Sequence, residues 1–267
     1  GSNTPASGAY IFLSQKIEGH NTFHLSYGTS SAKTITISFY VRSSITGTHG
    51  GSLRNSAQNR TYPFSYTISS ADTWERKTIT IPGDTTGTWV GATNGIGLEV
   101  IWNLGSGSTN IGTAGTWAAL GYLGATGEVN IVETSGATFY ITGVQVEVGD
   151  VATPFEHRSF GEENQLCKRY YYDLTAGNSA YSRLIVHKSG YFQHPQIKHP
   201  VEMRTGPTIT FDDVYTRALS GGSDTSASIS STYADTTNWT SYTDGLGSSN
   251  TFCTFIYMYP ITFDAEL

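Results

Sequence analysis

Charge is scarce in this sequence. Only 13% of its 267 residues are Asp, Glu, Lys or Arg, and methionine and cysteine appear twice each. With so few charged and other strong helix formers, a mostly helical fold is excluded. The formal net charge of −6 leaves no basic stripe for a phosphate backbone, so no nucleic-acid partner is expected. No apolar run reaches the roughly 18 residues of a membrane span, so no membrane insertion is expected. Two cysteines, Cys167 and Cys253, are too few and too far apart for a disulfide scaffold. They read either as buried free thiols or as a single Cys167–Cys253 bridge. Fixed-period repeats are also lacking, which excludes propellers, solenoids and the regular β-helix. The opening Gly1-Ser2 reads as a scar from a cleaved tag, with no signal peptide after it, which leaves the extent of the parent chain upstream open.

Ser, Thr, Gly and 17 tyrosines fill the space. β-Branched and aromatic side chains suit a pleated, half-exposed surface. Period-two alternation recurs in Tyr10–Glu18, Lys33–Arg42, Tyr62–Ile68, Trp74–Ile81, Gly95–Leu104 and Ala137–Val148, each ended by turn residues. In the second run Ile35, Ile37, Phe39 and Val41 share a face. Strands at this spacing without helical pattern between them predict an all-β fold with an N-terminal jelly-roll β-sandwich over 1–152. The Gly105–Gly127 excursion is too long for a hairpin loop; it reads as a functional loop or as a surface loop pinned by its own aromatics. Residues 153–170 read as a linker with one short helix over Gly161–Tyr170, acidic at its start and basic at its end. A smaller, sandwich-like C-terminal β domain is expected over 171–267. Its strands are predicted at Tyr181–His187, Tyr191–Lys198, Thr208–Phe211, Val214–Leu219, Ala227–Tyr233 and Thr251–Tyr259, with exposed hairpins and loops between Ser220 and Asn250.

The segment Gly143-Val144-Gln145-Val146-Glu147-Val148-Gly149-Asp150-Val151-Ala152-Thr153-Pro154-Phe155-Glu156-His157-Arg158 resembles a "GxQxExGxxATPFExR" run of bacteriophage tail-fibre and other virion proteins. The "CxRYY" that follows in that group is similar to Cys167-Lys168-Arg169-Tyr170-Tyr171. Blocks at Ser38–Ser43, Gly51–Asn55, Tyr62–Ile68 and Ile79–Asp84, and the ending Phe263–Leu267, also look like the group. The resemblance implies a galactose-binding-like or carbohydrate-binding-module-like jelly roll, then a second β domain. It implies a virion location after assembly in the host cytoplasm, homotrimers, other virion tail proteins as partners, and attachment to a host-surface glycan or protein receptor. A purely structural part, such as a head fibre, connector or decoration, is the alternative, and a glycan depolymerase the second. Within the signature, Val144, Val146 and Val148 alternate against Gln145 and Glu147, and Phe155 is expected to plug the sandwich bottom.

No Gly-x-Ser-x-Gly elbow or βα unit accompanies the many serines, so no hydrolase of that order is expected. Glycan hydrolysis needs two opposed carboxylates. Glu75, Glu99, Glu128, Glu133, Asp212 and Asp213 stand in no distinctive context, and Glu75 and Glu99 read as solvated outer-face residues. His194 and His199 are each followed by proline, which breaks helical ligand spacing. The likeness to carbohydrate-module jelly rolls implies a structural Ca²⁺, with Glu18, Glu147 and Asp150 as oxygen donors. Sugar binding calls for exposed aromatic faces beside polar groups. Trp89, Trp117, Tyr122 and Tyr62, with Asn55, Asn59 and Arg60, are the candidates in the first domain. Trp239, Tyr233 and Tyr242, in the Ser/Thr/Gly-rich loops, are the candidates in the second. Trp74 and Trp102, inside strand patterns, are expected in the core. Tyr170, Tyr171 and Tyr172, with Phe255, Tyr257 and Tyr259, are apolar on both strand faces and predict an oligomer interface.

Overall fold

Alternation decides the architecture of the first unit. In the computed structural model, which describes residues 3–173, 184–186, 192–193, 197–218, 225–226, 228–244 and 254–266, the chain divides into units 1–157 and 158–267. The first contains β1 (Tyr10–Glu18), β2 (Ile35–Ser43), β3 (Gly47–Arg54), β4 (Thr61–Ile68), β5 (Glu75–Ile81), β6 (Ile96–Ser106), β7 (Ile111–Gly112), β8 (Gly124–Ala125) and β9 (Phe139–Val148). One antiparallel sheet runs β1-β6-β3-β4 and the other β5-β2-β9. Ile35, Ile37, Phe39 and Val41 turn inward from β2 and meet Leu53, Phe64, Leu98, Val100 and Trp102 of the facing sheet. Phe39 lies edge-on to Tyr66 and Trp102, at 5.1 and 5.7 Å between centroids. Burying each such large side chain contributes about 1.5–3 kcal/mol. Pro63, which cannot donate to a ladder, sits on the edge strand β4, where one side needs no donor.

Along β6 and β3 the first sheet is buried on its outer face as well. Glu99 and Ile101 alternate outward on β6, Ser52 and Arg54 on β3, and all four are buried. The Gly105–Gly127 excursion forms the layer above them. It carries the parallel pair β7–β8, Leu123 donates to the Asn110 carbonyl at 2.8 Å, and Glu128 binds Asn103 of β6 and the Ala125 amide. Of the two readings of this excursion, the pinned cover is the observed one. It explains why Glu99 is not a solvated outer-face residue: its carboxylate takes Arg54 Nε at 2.6 Å, with both side chains 7% exposed. Gly51 shows how closely neighbouring strands of this sheet pack. A Cβ there would stand 2.2 Å from the Ile101 carbonyl oxygen and 2.6 Å from the Phe64 ring.

The second unit opens with α1 (Phe160–Lys168), whose Ser159 and Glu162 form a reciprocal capping box. There follow β10 (Tyr171–Asp173), β11 (Leu184–Val186), β12 (Phe192–Gln193), β13 (Ile197–Lys198), β14 (Thr208–Ala218), β15 (Thr225–Ser226), β16 (Ser228–Ala234), β17 (Asn238–Asp244) and β18 (Thr254–Asp264). One sheet runs β10-β18-β14-β15, with β11 also on β18; the other runs β12-β17-β13, with β16 on β17. The two expected strands at 208–219 are one, since β14 pairs along β18 from Thr208 to Ala218. Within Ser220–Asn250 the strand expected at Ala227–Tyr233 is β16, and β15 and β17 are strands where none was expected. The Thr-rich runs there are strands, as β-branched residues favour. Between the sheets Phe263 stacks on Tyr172 at 4.5 Å and meets Trp239 at 5.4 Å.

Candidate ligand-binding site

Six of the residues expected to hold sugar do come together. Arg60 leaves the β3–β4 turn and forms a double contact with Asp84, 2.7 Å from each carboxylate oxygen. Asp84 is buried and also accepts from the Thr86 amide and from Trp89 Nε1, at 3.2 and 3.3 Å. Burial alone would raise the Asp84 pKa; the Arg60 guanidinium and the Thr86 groups hold it below the ordinary carboxylate range. Trp89 and Trp117 pack edge to face at 5.6 Å, and Tyr62 lies 5.3 Å from Trp117. Asn55 accepts the Asn59 and Arg60 amides, while its own amide donates to Asn59 Oδ1 and the Thr88 carbonyl.

Their exposure differs from expectation. Tyr62 is buried, and Trp89 and Trp117 are half-buried against the core. Each indole N–H is donated inside the unit, Trp89 also to the Thr86 carbonyl and Trp117 to that of Pro82. The rings close one end of the sandwich like a stopper. A cavity of about 80 Å³ beside Trp89, lined by Phe23, Tyr27 and Leu98 among others, is well below the roughly 300–1,000 Å³ of small-molecule sites. Tyr122 stands apart, its ring over Gly112.

The opposite surface, the outer face of β5-β2-β9, has a different character. Strand parity puts Tyr40 and Arg42 of β2 outward, beside Tyr140 and Thr142 of β9. Trp74 immediately precedes β5 and is 46% exposed; Tyr140 is 48% and Tyr40 40% exposed. Trp74 was expected in the core, but the inward positions of β5 are odd-numbered, ending in Ile79 and Ile81, which sends residue 74 the other way. That signal was in the sequence. Trp74 and Tyr140 lie 6.5 Å apart at 57°, and the Arg42 guanidinium sits 5.4 Å from the Tyr140 centroid. Arg42 approaches Asp72 at 3.5 Å. Asp72 adopts a left-handed backbone, φ 54°, and its amide is fixed on the Ser43 carbonyl.

The signature segment covers the other part of the same face. Thr36 Oγ1 donates to the Gly149 carbonyl at 2.8 Å and Arg76 to that of Thr153. The Glu147 carboxylate takes the Thr153 amide and hydroxyl, its pKa is lowered by the Gln145 side chain and by Thr153, and Gln145 takes the Glu156 amide. Thr36 and Ser38, though outward, are therefore buried. Val144 and Val146 join the core as expected, but Val148 is exposed. Phe155 does not plug the sandwich; it is 37% exposed and shares with Tyr40 the gap above Gly143, whose φ is 58°.

Glu18 is buried at the end of β1, Glu147 is committed to Thr153, and among the described residues no three His, Cys, Asp or Glu could share a metal ion. In the second unit Trp239 is not in an exposed loop but on β17, 1% exposed. Tyr233 and Tyr242 lie on β16 and β17, and Phe255, Tyr257 and Tyr259 on β18; their side chains lie outside the described residues. Tyr172 cannot meet a partner chain, since it is buried with its hydroxyl 2.6 Å from His199 Nδ1. Tyr171 is exposed, and Tyr170 half-buried. Cys167 is an exposed free thiol rather than a buried one, and Cys253 lies outside the described residues. Compared with known proteins, the chain matches no protein-family model and no curated protein.

Proposed function

We propose that the chain is a non-catalytic attachment module of a bacteriophage virion, a tail-fibre or receptor-binding protein that holds host-surface glycan. The signature segment carries this reading. Its polar residues Gln145, Glu147 and Thr153 are spent on strapping an extended arm to a sandwich, which is the work of a fibre module and not of a reaction centre. The carboxylates that hydrolysis would need are likewise engaged: Glu75 with Lys77, Glu99 with Arg54, and Glu128 with Asn103. Asp212 and Asp213 lie on β14, with side chains outside the described residues.

Self-association, with a homotrimer as the expected state, belongs to this reading. A helix of nine residues is marginal in water without packing, yet α1 buries no residue and leaves Phe160 85% and Leu166 48% exposed. Fluorescently labelled protein incubated with a panel of bacterial strains is expected to adsorb to some of them and to release no reducing ends from their polysaccharides. Reducing-end release would favour the depolymerase, and adsorption to no strain would favour a purely structural virion part. A monomeric mass in light scattering at micromolar concentration would remove the trimer.

A further inference from the structure

We propose that the open part of the β5-β2-β9 outer face, around Trp74, Tyr140, Tyr40, Arg42 and Asp72, is a platform for a neutral pyranose of a surface saccharide; this rests on the attachment function above. Three aromatic side chains keep 40–48% of their surface in water there, on strands or at a strand start. Such rings offer a flat, electron-rich face of the kind that the apolar C–H face of a pyranose can cover. Among the described residues no hydrogen bond engages the Trp74 indole N–H or the Tyr40 and Tyr140 hydroxyls, unlike the internally donated N–H groups of Trp89 and Trp117.

The surroundings select saccharide over protein. The other outward positions on these strands are Arg76, Thr78, Thr80, Thr142, Gln145 and Glu147, so the rings are islands in a polar sheet. A protein-interface core is instead apolar and depleted of charge. Arg42 and Asp72 face each other at 3.5 Å, longer than the ~2.7–2.9 Å of a charge-assisted bond. Both therefore retain capacity for hydroxyl groups, one as donor and one as acceptor, and their opposite charges cancel, while Arg76 in the next row is offset by the Glu147 carboxylate. The register gives two adjacent rows, Arg76–Tyr40–Thr142 and Arg42–Tyr140, with Val41 opposite Glu75 carrying the chain back to Trp74. The strapped arm and Phe155 bound the platform on one side.

The test uses the full chain on an array of bacterial polysaccharides with neutral and acidic repeats, together with the variants Trp74→Ala, Tyr140→Ala and Asp72→Asn. Tyr10→Ala, an exposed ring on β1, is the control. Wild type is expected to bind neutral repeats. Either aromatic replacement should weaken binding by about tenfold or more, and Asp72→Asn by about threefold, while Tyr10→Ala binds as wild type. The replaced side chains are exposed, so unchanged melting curves separate loss of binding from loss of fold. Array binding that survives both aromatic replacements overturns the platform and leaves the attachment function standing. Adsorption to cells that withstands periodate oxidation of their glycans, with no array binding by wild type, overturns the platform in favour of a protein receptor. Absence of both array binding and cell adsorption overturns the attachment function itself.

Discussion

Asp84→Ala tests whether the Trp89–Trp117 cluster is a stopper for the sandwich rather than a sugar platform. Asp84 accepts two hydrogen bonds from Arg60 at 2.7 Å each, and others from Thr86 and Trp89. Bonds to charged groups are worth about 1.5–3 kcal/mol each, so the two Arg60 contacts alone represent roughly 3–6 kcal/mol. Water reaches the Arg60 side chain, which is 15% exposed, and offsets part of that loss. A net destabilisation of about 3 kcal/mol is expected, near 6–12 °C in Tm for a unit of this size. Urea unfolding should be followed by tryptophan fluorescence and by hydrogen exchange at the Asn59, Arg60 and Thr86 amides, because two units need not unfold together. The acid limb offers an independent check. A carboxylate held below its ordinary pKa stabilises the fold above about pH 4, and that contribution disappears as pH falls through the lower folded value. Asp84→Ala should lack this limb. A loss under about 0.5 kcal/mol with an unchanged acid limb would refute the structural role, the more so if adsorption to cells disappeared.

Three further outcomes are expected. Gly51→Ala should cost about 3 kcal/mol or more by urea titration, because its Cβ would meet the Ile101 backbone and the Phe64 ring; near-wild-type stability would mean that β3 packs less tightly against β6 and Phe64 than described. Glu99→Ala should cost about 3–5 kcal/mol by leaving Arg54 buried and unpaired, whereas Arg54→Met with Glu99→Leu should lie near wild type; equal losses in single and double variants would contradict the ion-pair account. Burial holds the His199 pKa below its ordinary value, so the folded ring resists protonation while the unfolded one takes a proton below about pH 6.5. The second unit should therefore lose stability as pH falls below about 6.5 and level off below the folded pKa, read from exchange of the Met203 amide; His199→Gln should flatten that slope, and an unchanged slope would exclude His199 as its source.

Periodicity carried most of the strand positions because a sheet with one buried face writes alternation into its sequence. The inward set Ile35, Ile37, Phe39 and Val41 is the clearest case. Alternation is silent where both faces are buried. β3, Gly47–Arg54, has no alternating apolar pattern: a Cβ at Gly50 would meet Glu128 of the cover, one at Gly51 the Ile101 carbonyl and the Phe64 ring of neighbouring strands, and Ser52 is fully buried. β17 went unread because its Asn, Thr and Ser conceal the alternation; Trp239, on this strand, is fully buried.

The exposure of the tryptophans was misread through a different inference, namely that a tryptophan among glycines is exposed and one beside a strand is buried. What settles exposure is what stands opposite each face. Trp89 and Trp117 flank turns, but Asp84, Thr86 and Pro82 supply acceptors for their N–H groups, so they close the sandwich. Trp74 adjoins a strong strand, yet parity turns it outward, onto a face whose neighbouring part is occupied by the strapped arm. The signature residues and the exposed rings are thus complementary parts of one sheet surface: Gln145 and Glu147 hold the arm over Thr36 and Ser38, and the rows carrying Tyr40 and Tyr140 stay open. Loosening the arm by Glu147→Ala should then uncover Thr36 without displacing Trp74. Faster exchange of the Thr153 amide with unchanged array binding is the expected pairing, and lost array binding would mean that the arm shapes the platform as well as bounding it.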